Sequence, residues 1–229
     1  MAPGRASAFL ATLVFALIPL GCTPDGPPPP ISYYAAPLED FARVQQVAFV
    51  GLSSAPDDEA VARDTSFAIF QAIQGKRMFQ ANLVERTDPA LESVDATGRI
   101  PMTYRQMSEV RQALKCDAIL LGSLSEFQQY PRMRMTIRLR LMDLRRGKLL
   151  WGVDQVWDTT DKATEERVRH YFCRKESGES APMDWRMGIV SPRSFEKFVA
   201  FEIARTLPCR EDADDAKTAK GSRAAAERK

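Results

Sequence analysis

The sequence predicts one α/β domain on a mixed β-sheet of about five strands, with a C-terminal β-meander and helices covering the sheet. Three observations carry this expectation. Two short apolar runs, residues 46–52 (QVAFVGL) and 117–126 (DAILLGSLSE), read as strands, the first buried on both faces and the second apolar on both faces in its first half. Segments of helical periodicity separate them, as a crossover between parallel strands requires. From Arg132 to Leu141 the chain alternates strictly, with Met133, Met135, Ile137, Leu139 and Leu141 set against Arg132, Arg134, Thr136, Arg138 and Arg140. That is the period of a strand with one buried and one wet face.

The N-terminus comes first in chain order. Arg5 precedes an apolar run over residues 6–20, too short for a permanent membrane span and right for a signal-peptide core, so residues 1–21 read as a lipoprotein signal peptide. Leu20, Gly21 and Cys22 have the form of a bacterial lipobox, which makes Cys22 the expected lipidation site. Two or three acyl chains such as palmitate anchor stably where one does not. Pro19 stands where such boxes usually carry a leucine; the alternative is a plain secretory signal with a chance cysteine. Thr23 in place of an aspartate points, by resemblance to enterobacterial lipoproteins, to the outer membrane, periplasmic side. Residues 22–40 then make the lipidated cysteine and a Pro-rich tether, with prolines at each position from Pro27 to Pro30. Residues 41–210 make the envelope domain.

Within the domain, the strand at 46–52 leads into a helix over 54–75. Pro56 lies in its first turn, acids follow, and Val61, Thr65, Ala68, Ile69, Ala72 and Ile73 fall at helical spacing. Residues 79–85 read as a second strand, and residues 88–100 as irregular. Thr103 and Gln106 form a capping box for a helix with Met107, Val110 and Leu114 on one face. After the strand at 117–126 comes a hairpin, whose turn spans 143–147 and whose second arm resumes alternation at Leu149, Trp151 and Val153. Helices over 161–172 and 191–207 complete the domain. Phe195, Phe198, Val199, Ile203 and Leu207 are the core stripe of the second, and Pro208 stops it. Residues 174–190 read as a loop carrying Trp185. The charged, Ala-rich residues 211–229 read as a disordered tail or a frayed helix.

Thirty-two Lys and Arg stand against 30 Asp and Glu in 229 residues, so overall charge does not point to nucleic acid. Export points away from it as well. The single histidine, His170, argues against a histidine metal site. No nucleophile elbow, P-loop, C-x-x-C pair or H-E-x-x-H occurs, so neither catalytic residues nor a cofactor are expected. Asp57, Asp58 and Glu59 sit where first-turn acids favour a helix dipole. Besides Cys22 there are three cysteines, and an oxidising compartment permits one disulfide among them. Cys173 and Cys209, each just after a helix, are the expected pair, with Cys116 a small core hydrophobe. The alternative is three buried free thiols.

The arginine row admits two readings. Its guanidinium groups could dock phosphates or carboxylates. Alternatively they form a cross-strand charge ladder: with the apolar residues of both arms on one face, Leu141 opposes Trp151, Leu139 opposes Val153, Arg138 meets Asp154 and Arg134 meets Asp158. At the turn, Arg145, Arg146 and Lys148 outnumber Asp143, which makes these three the candidate partner-binding residues.

The segments VAFVGL, KCDAILLGSLSEF and LMDLRRGKLLW together resemble a group of envelope lipoproteins. These are the curli-secretion (CsgG-like) lipoprotein, the LpoB-like activators of penicillin-binding proteins and, more loosely, the N-terminal domain of the Tol-Pal β-propeller protein. The likeness spans roughly residues 43–158 and rests on Asp117, Gly122, Gly147 and Trp151. It implies an anticodon-binding-like α/β domain in the periplasm, tethered by lipid and acting through contact with an envelope protein or with copies of itself as a homo-oligomer. It brings no catalytic residue. The alternative it implies is a subunit of an oligomeric outer-membrane secretion channel, although no extra pair of amphipathic strands for a pore is present.

Overall fold

In the computed structural model, which describes residues 31–95, 97, 101–173 and 184–209, the apolar run of residues 46–52 yields the strand β2 (Gln46–Val50), an interior strand of a mixed sheet. A short N-terminal strand, β1 (Tyr33–Ala35), and one helical turn, α1 (Leu38–Phe41), precede it. Helix α2 (Glu59–Gly75) leads to β3 (Gln80–Val84), and α3 (Tyr104–Leu114) to β4 (Ala118–Gln128). The meander continues through β5 (Arg134–Asp143) and β6 (Lys148–Asp158), and α4 (Lys162–Cys173), α5 (Met187–Val190) and α6 (Pro192–Arg205) follow. The strand order is β1-β6-β5-β4-β2-β3. β2 pairs in parallel with β3 and β4, and the pairs β4–β5, β5–β6 and β1–β6 are antiparallel.

Six strands form where about five were expected. The added one comes from residues assigned to the tether: Tyr33, Tyr34 and Ala35 lie against Val153, Gly152 and Trp151. Three residues carry no readable periodicity, and only the open edge of β6 gives them a partner. The strand itself is exposed, but Ile31, Ala36 and Phe41 around it are buried, so part of the expected tether packs with the domain. The loop expected at 174–190 contains α5, and Trp185 packs against the core. Residues 1–30, with the expected signal peptide and Cys22, residues 174–183 and the expected tail from 210 lie outside the described residues.

Local chemistry explains the elements. Thr103 and Gln106 do form the capping box at α3, each side chain bonding the other's backbone N–H. Pro192 opens α6, whose cap Ser191 accepts from the Ser194 N–H. Gly122 is required by close approach: a Cβ there would lie 2.5 Å from the Arg138 carbonyl oxygen and 2.6 Å from Leu139 Cδ2.

The sheet has two unequal sides. One carries the main core, in which Phe49, Ile69, Leu141, Trp151, Trp157, Phe195 and Phe198 are closed over by α2, α4 and α6. The indole N–H groups of β6 are tied to α6 one turn apart: Trp157 Nε1 donates to Glu202 at 2.6 Å, and Trp151 Nε1 to the Thr206 hydroxyl at 2.9 Å. Arg167 of α4 closes this network on Glu202 at 2.8 Å. The other side carries a smaller core around Val50, Met107, Val110, Ile119 and Leu121. It leaves the outward side chains of β5 and β6 in contact with solvent.

Candidate functional site

The turn between β5 and β6 is built from its own sequence. The Asp143 carboxylate accepts the N–H groups of Arg145 at 2.8 Å and Arg146 at 3.3 Å. Gly147 closes the turn at φ +65°, the left-handed region that glycine enters without strain, and its N–H donates to the Asp143 carbonyl at 2.8 Å. Arg145, Arg146 and Lys148 all stand at this tip.

Their surroundings correct the count made from sequence. Arg145 Nη2 lies 2.9 Å from Asp117 Oδ1, Arg146 Nη1 lies 3.3 Å from Asp40 Oδ1, and Lys148 Nζ lies 2.6 Å from Asp40 Oδ2. The cations therefore do not outnumber the acids at the tip. Asp40 is more than a hundred residues away in sequence and meets the tip only because α1 follows an edge strand laid on β6. What remains is a radial ordering. The three cationic side chains are 60, 46 and 45% exposed, while those of Asp117 and Asp40 are 17 and 16% exposed. Positive groups face outward over shielded acids.

Asp117 is the residue whose role the sequence left out. Its carboxylate accepts from the Gln45 and Gln46 N–H groups at 3.1 and 3.2 Å as well as from Arg145. One aspartate thereby fastens the starts of β2 and β4 to the hairpin tip. Burial pushes this carboxyl up, but the two N–H donors and Arg145 prevail and hold it below the usual range. The Asp40 hydrogen bond holds the Lys148 ammonium above its ordinary value.

Between β5 and β6 the expected register is present: on the open face Arg138 opposes Asp154 and Arg134 opposes Asp158, and on the core face Leu139 opposes Val153 and Leu141 opposes Trp151. Arg138 Nη2 lies 2.6 Å from Asp154 Oδ2, and Arg134 Nε lies 3.4 Å from Glu126 and 3.9 Å from Asp158. Glu126 reaches Arg134 because β4 bulges between Leu124 and Glu126, a shift that no periodicity signals. The arginine row is thus a cross-strand charge ladder in which Arg134 and Arg138 are engaged.

The expected Cys173–Cys209 disulfide is not formed: among the described residues neither these two cysteines nor Cys116 is joined to another cysteine. The reason is helix direction. Arg167 meets Glu202 while Tyr171 meets Phe198 and Phe201, so α4 and α6 run antiparallel. Cys173 ends α4 near the start of α6 and Cys209 lies past the other end of α6, roughly 15 Å away at 1.5 Å per residue. A disulfide needs Cα atoms within about 7 Å. Cys209 Sγ instead accepts from Lys76 Nζ at 3.8 Å. Cys116 is buried, which pushes its thiol up and leaves it a small hydrophobe.

One further titratable group was not singled out from sequence. Glu196, on α6, is 4% exposed. Burial first and then Asp64 push its carboxyl up to about 7, against the opposing effect of Arg193. Among the described residues no group of three or more His, Cys, Asp or Glu side chains could hold a metal ion, and no helix is long and apolar enough to cross a membrane.

No protein-family model matches the chain, and no curated protein sequence does. Solved structures resemble part of it. The PelC dodecamer from Paraburkholderia phytofirmans does so with a TM-score of 0.41 at 12% identity, over 56% of this chain and 79% of that one. Lipoprotein GNA1162 from Neisseria meningitidis gives 0.37 at 11% identity, over 59% and 99%. The C-terminal domain of LpoB from Salmonella enterica gives 0.31 at 13% identity, over 49% and 82%. The solved structures this chain resembles thus include lipoproteins, and at these scores the likeness extends to no activity or partner.

Proposed function

We propose that the chain is a lipid-anchored module of the bacterial envelope that binds or assembles other envelope proteins by contact and catalyses no reaction. Acylated Cys22 holds it on the periplasmic side of the outer membrane. The observation that supports this best is the tip itself, where cations face outward over shielded acids. The tip also lies at the end of the sheet away from the chain's start. β1 runs antiparallel to β6, so the residues before Tyr33 lead toward the β4–β5 turn. β5 has ten residues, which sets the two ends of the meander about 30 Å apart. An acidic partner surface approaching the far end meets Arg145, Arg146 and Lys148 first, and such complementarity acts mainly on association rate.

The test replaces all three with glutamine in the full chain and follows crosslinked partner capture in intact envelopes. Neutral replacements are chosen because a reversed Arg145 would face Asp117, which holds two backbone N–H groups. Capture should fall and lose salt dependence while the melting temperature barely moves, since exposed ion pairs contribute about 0–1 kcal/mol each. Unchanged capture removes the tip from the proposal. Cys22→Ser should release the protein from membranes, and retention through a high-salt wash would refute the anchor. A ring seen by native mass measurement of the lipid-free domain would favour the channel-subunit reading instead.

A further inference from the structure

The first strand fixes how the chain enters the sheet. Tyr33 lies beside Val153 and Ala35 beside Trp151, and the Ser32 N–H donates to Gln155 Oε1 at 3.3 Å. Traced back from Ala35 to Ile31, the chain therefore heads toward the end of the meander that holds the β4–β5 turn. Eight residues, 23–30, separate Cys22 from Ile31. Whatever their conformation, the nine steps from Cys22 to Ile31 reach at most about 32 Å. A domain held from that end on such a lead can set the β4–β5 turn against the bilayer.

The side chains of that turn suit such a place. Tyr130 is 85% exposed, the highest value among the large hydrophobic side chains described. Arg132, two residues on, is exposed as well. The base of the turn is fixed, because the Met133 carbonyl accepts both the N–H and the hydroxyl of Thr159 at 3.0 Å. A tyrosine ring is apolar in its body and polar at its tip, which is why it settles at membrane–water interfaces. A guanidinium group pairs well with phosphate oxygens. We propose that the β4–β5 turn docks on the phospholipid headgroups of the membrane that anchors the chain, with Tyr130 entering the interface and Arg132 meeting a phosphate. This rests on the lipid-anchored reading and adds an orientation to it: turn toward the bilayer, basic tip away from it.

The test uses the full acylated chain in protein-free vesicles of phosphatidylethanolamine and phosphatidylglycerol, a fraction of them brominated near the headgroup. Tyr130→Trp reports on the turn. Tyr104→Trp reports on the opposite end, where Tyr104 Cε1 lies 3.8 Å from the position a Cβ on Gly147 would take. The native tryptophans form a common background, measured in the parent chain. The added emission at 130 should be lost to bromine and that at 104 retained. Chains that float with the vesicles yet show no quenching at 130, or equal quenching at both positions, overturn the docking and leave the anchor standing. A parent chain that does not float overturns the anchor, and the docking with it.

Discussion

Among the described residues, Glu196→Gln isolates the one buried carboxyl whose charge the fold opposes. Glu196 stands in α6, where that helix packs on α2, with Asp64 adding repulsion and Arg193 giving partial relief. In the unfolded chain its carboxyl titrates near 4.5, and in the fold near 7. Between those values the folded state holds a proton that the unfolded state has released, so stability falls as pH rises through the window. At about 1.4 kcal/mol per pH unit the loss is bounded near 3 kcal/mol. Relaxation of the surroundings about the charged form brings the expected figure to about 1–2 kcal/mol. For a domain of this size that is a shift of about 2–8 °C in melting temperature. Glutamine keeps the shape and polarity of the protonated acid and removes the titration. Thermal melts of both proteins at about pH 5 and about pH 8 should then coincide at the lower pH and diverge at the higher, the variant melting later. Asp117, Asp158 and Asp161, all held below the usual carboxylate range, complete their titration below this window. A parallel change in both proteins across the interval would refute the reasoning and place Glu196 in contact with water.

Arg167→Ala leaves Glu202 buried with only the Trp157 N–H as partner, and urea unfolding should show a loss of about 3–5 kcal/mol; a loss under about 1 kcal/mol would mean that the pair is solvated. Gly122→Ala forces a methyl group against the Arg138 carbonyl in the middle of the sheet, so a loss of about 3 kcal/mol or more, or failure to fold, is expected. A variant with wild-type stability would contradict the β4–β5 register. Thiol labelling of the unreduced, denatured protein followed by peptide mapping should recover both Cys173 and Cys209 as free thiols. A linked peptide pair would overturn the antiparallel placement of α4 and α6.

The sequence alone determined what depends on near neighbours and on period. Strict alternation over residues 132–141 gave β5 its buried face, and the requirement that both arms bury their apolar residues on one side gave its register with β6, down to Arg138 opposite Asp154. The capping box, the prolines that begin α6 and follow its last turns, and the glycine of the hairpin turn act within four residues and were legible for that reason. Tertiary structure decided whatever depends on which elements become neighbours. β1 exists because β6 offers an open edge. Asp40 and Asp117 neutralise the tip because α1 and the start of β4 arrive there, and the cysteines stay apart because α4 and α6 run in opposite directions. Ion pairing and disulfide formation depend on distances of a few ångströms, which chain separation does not encode until the sheet order β1-β6-β5-β4-β2-β3 has been set.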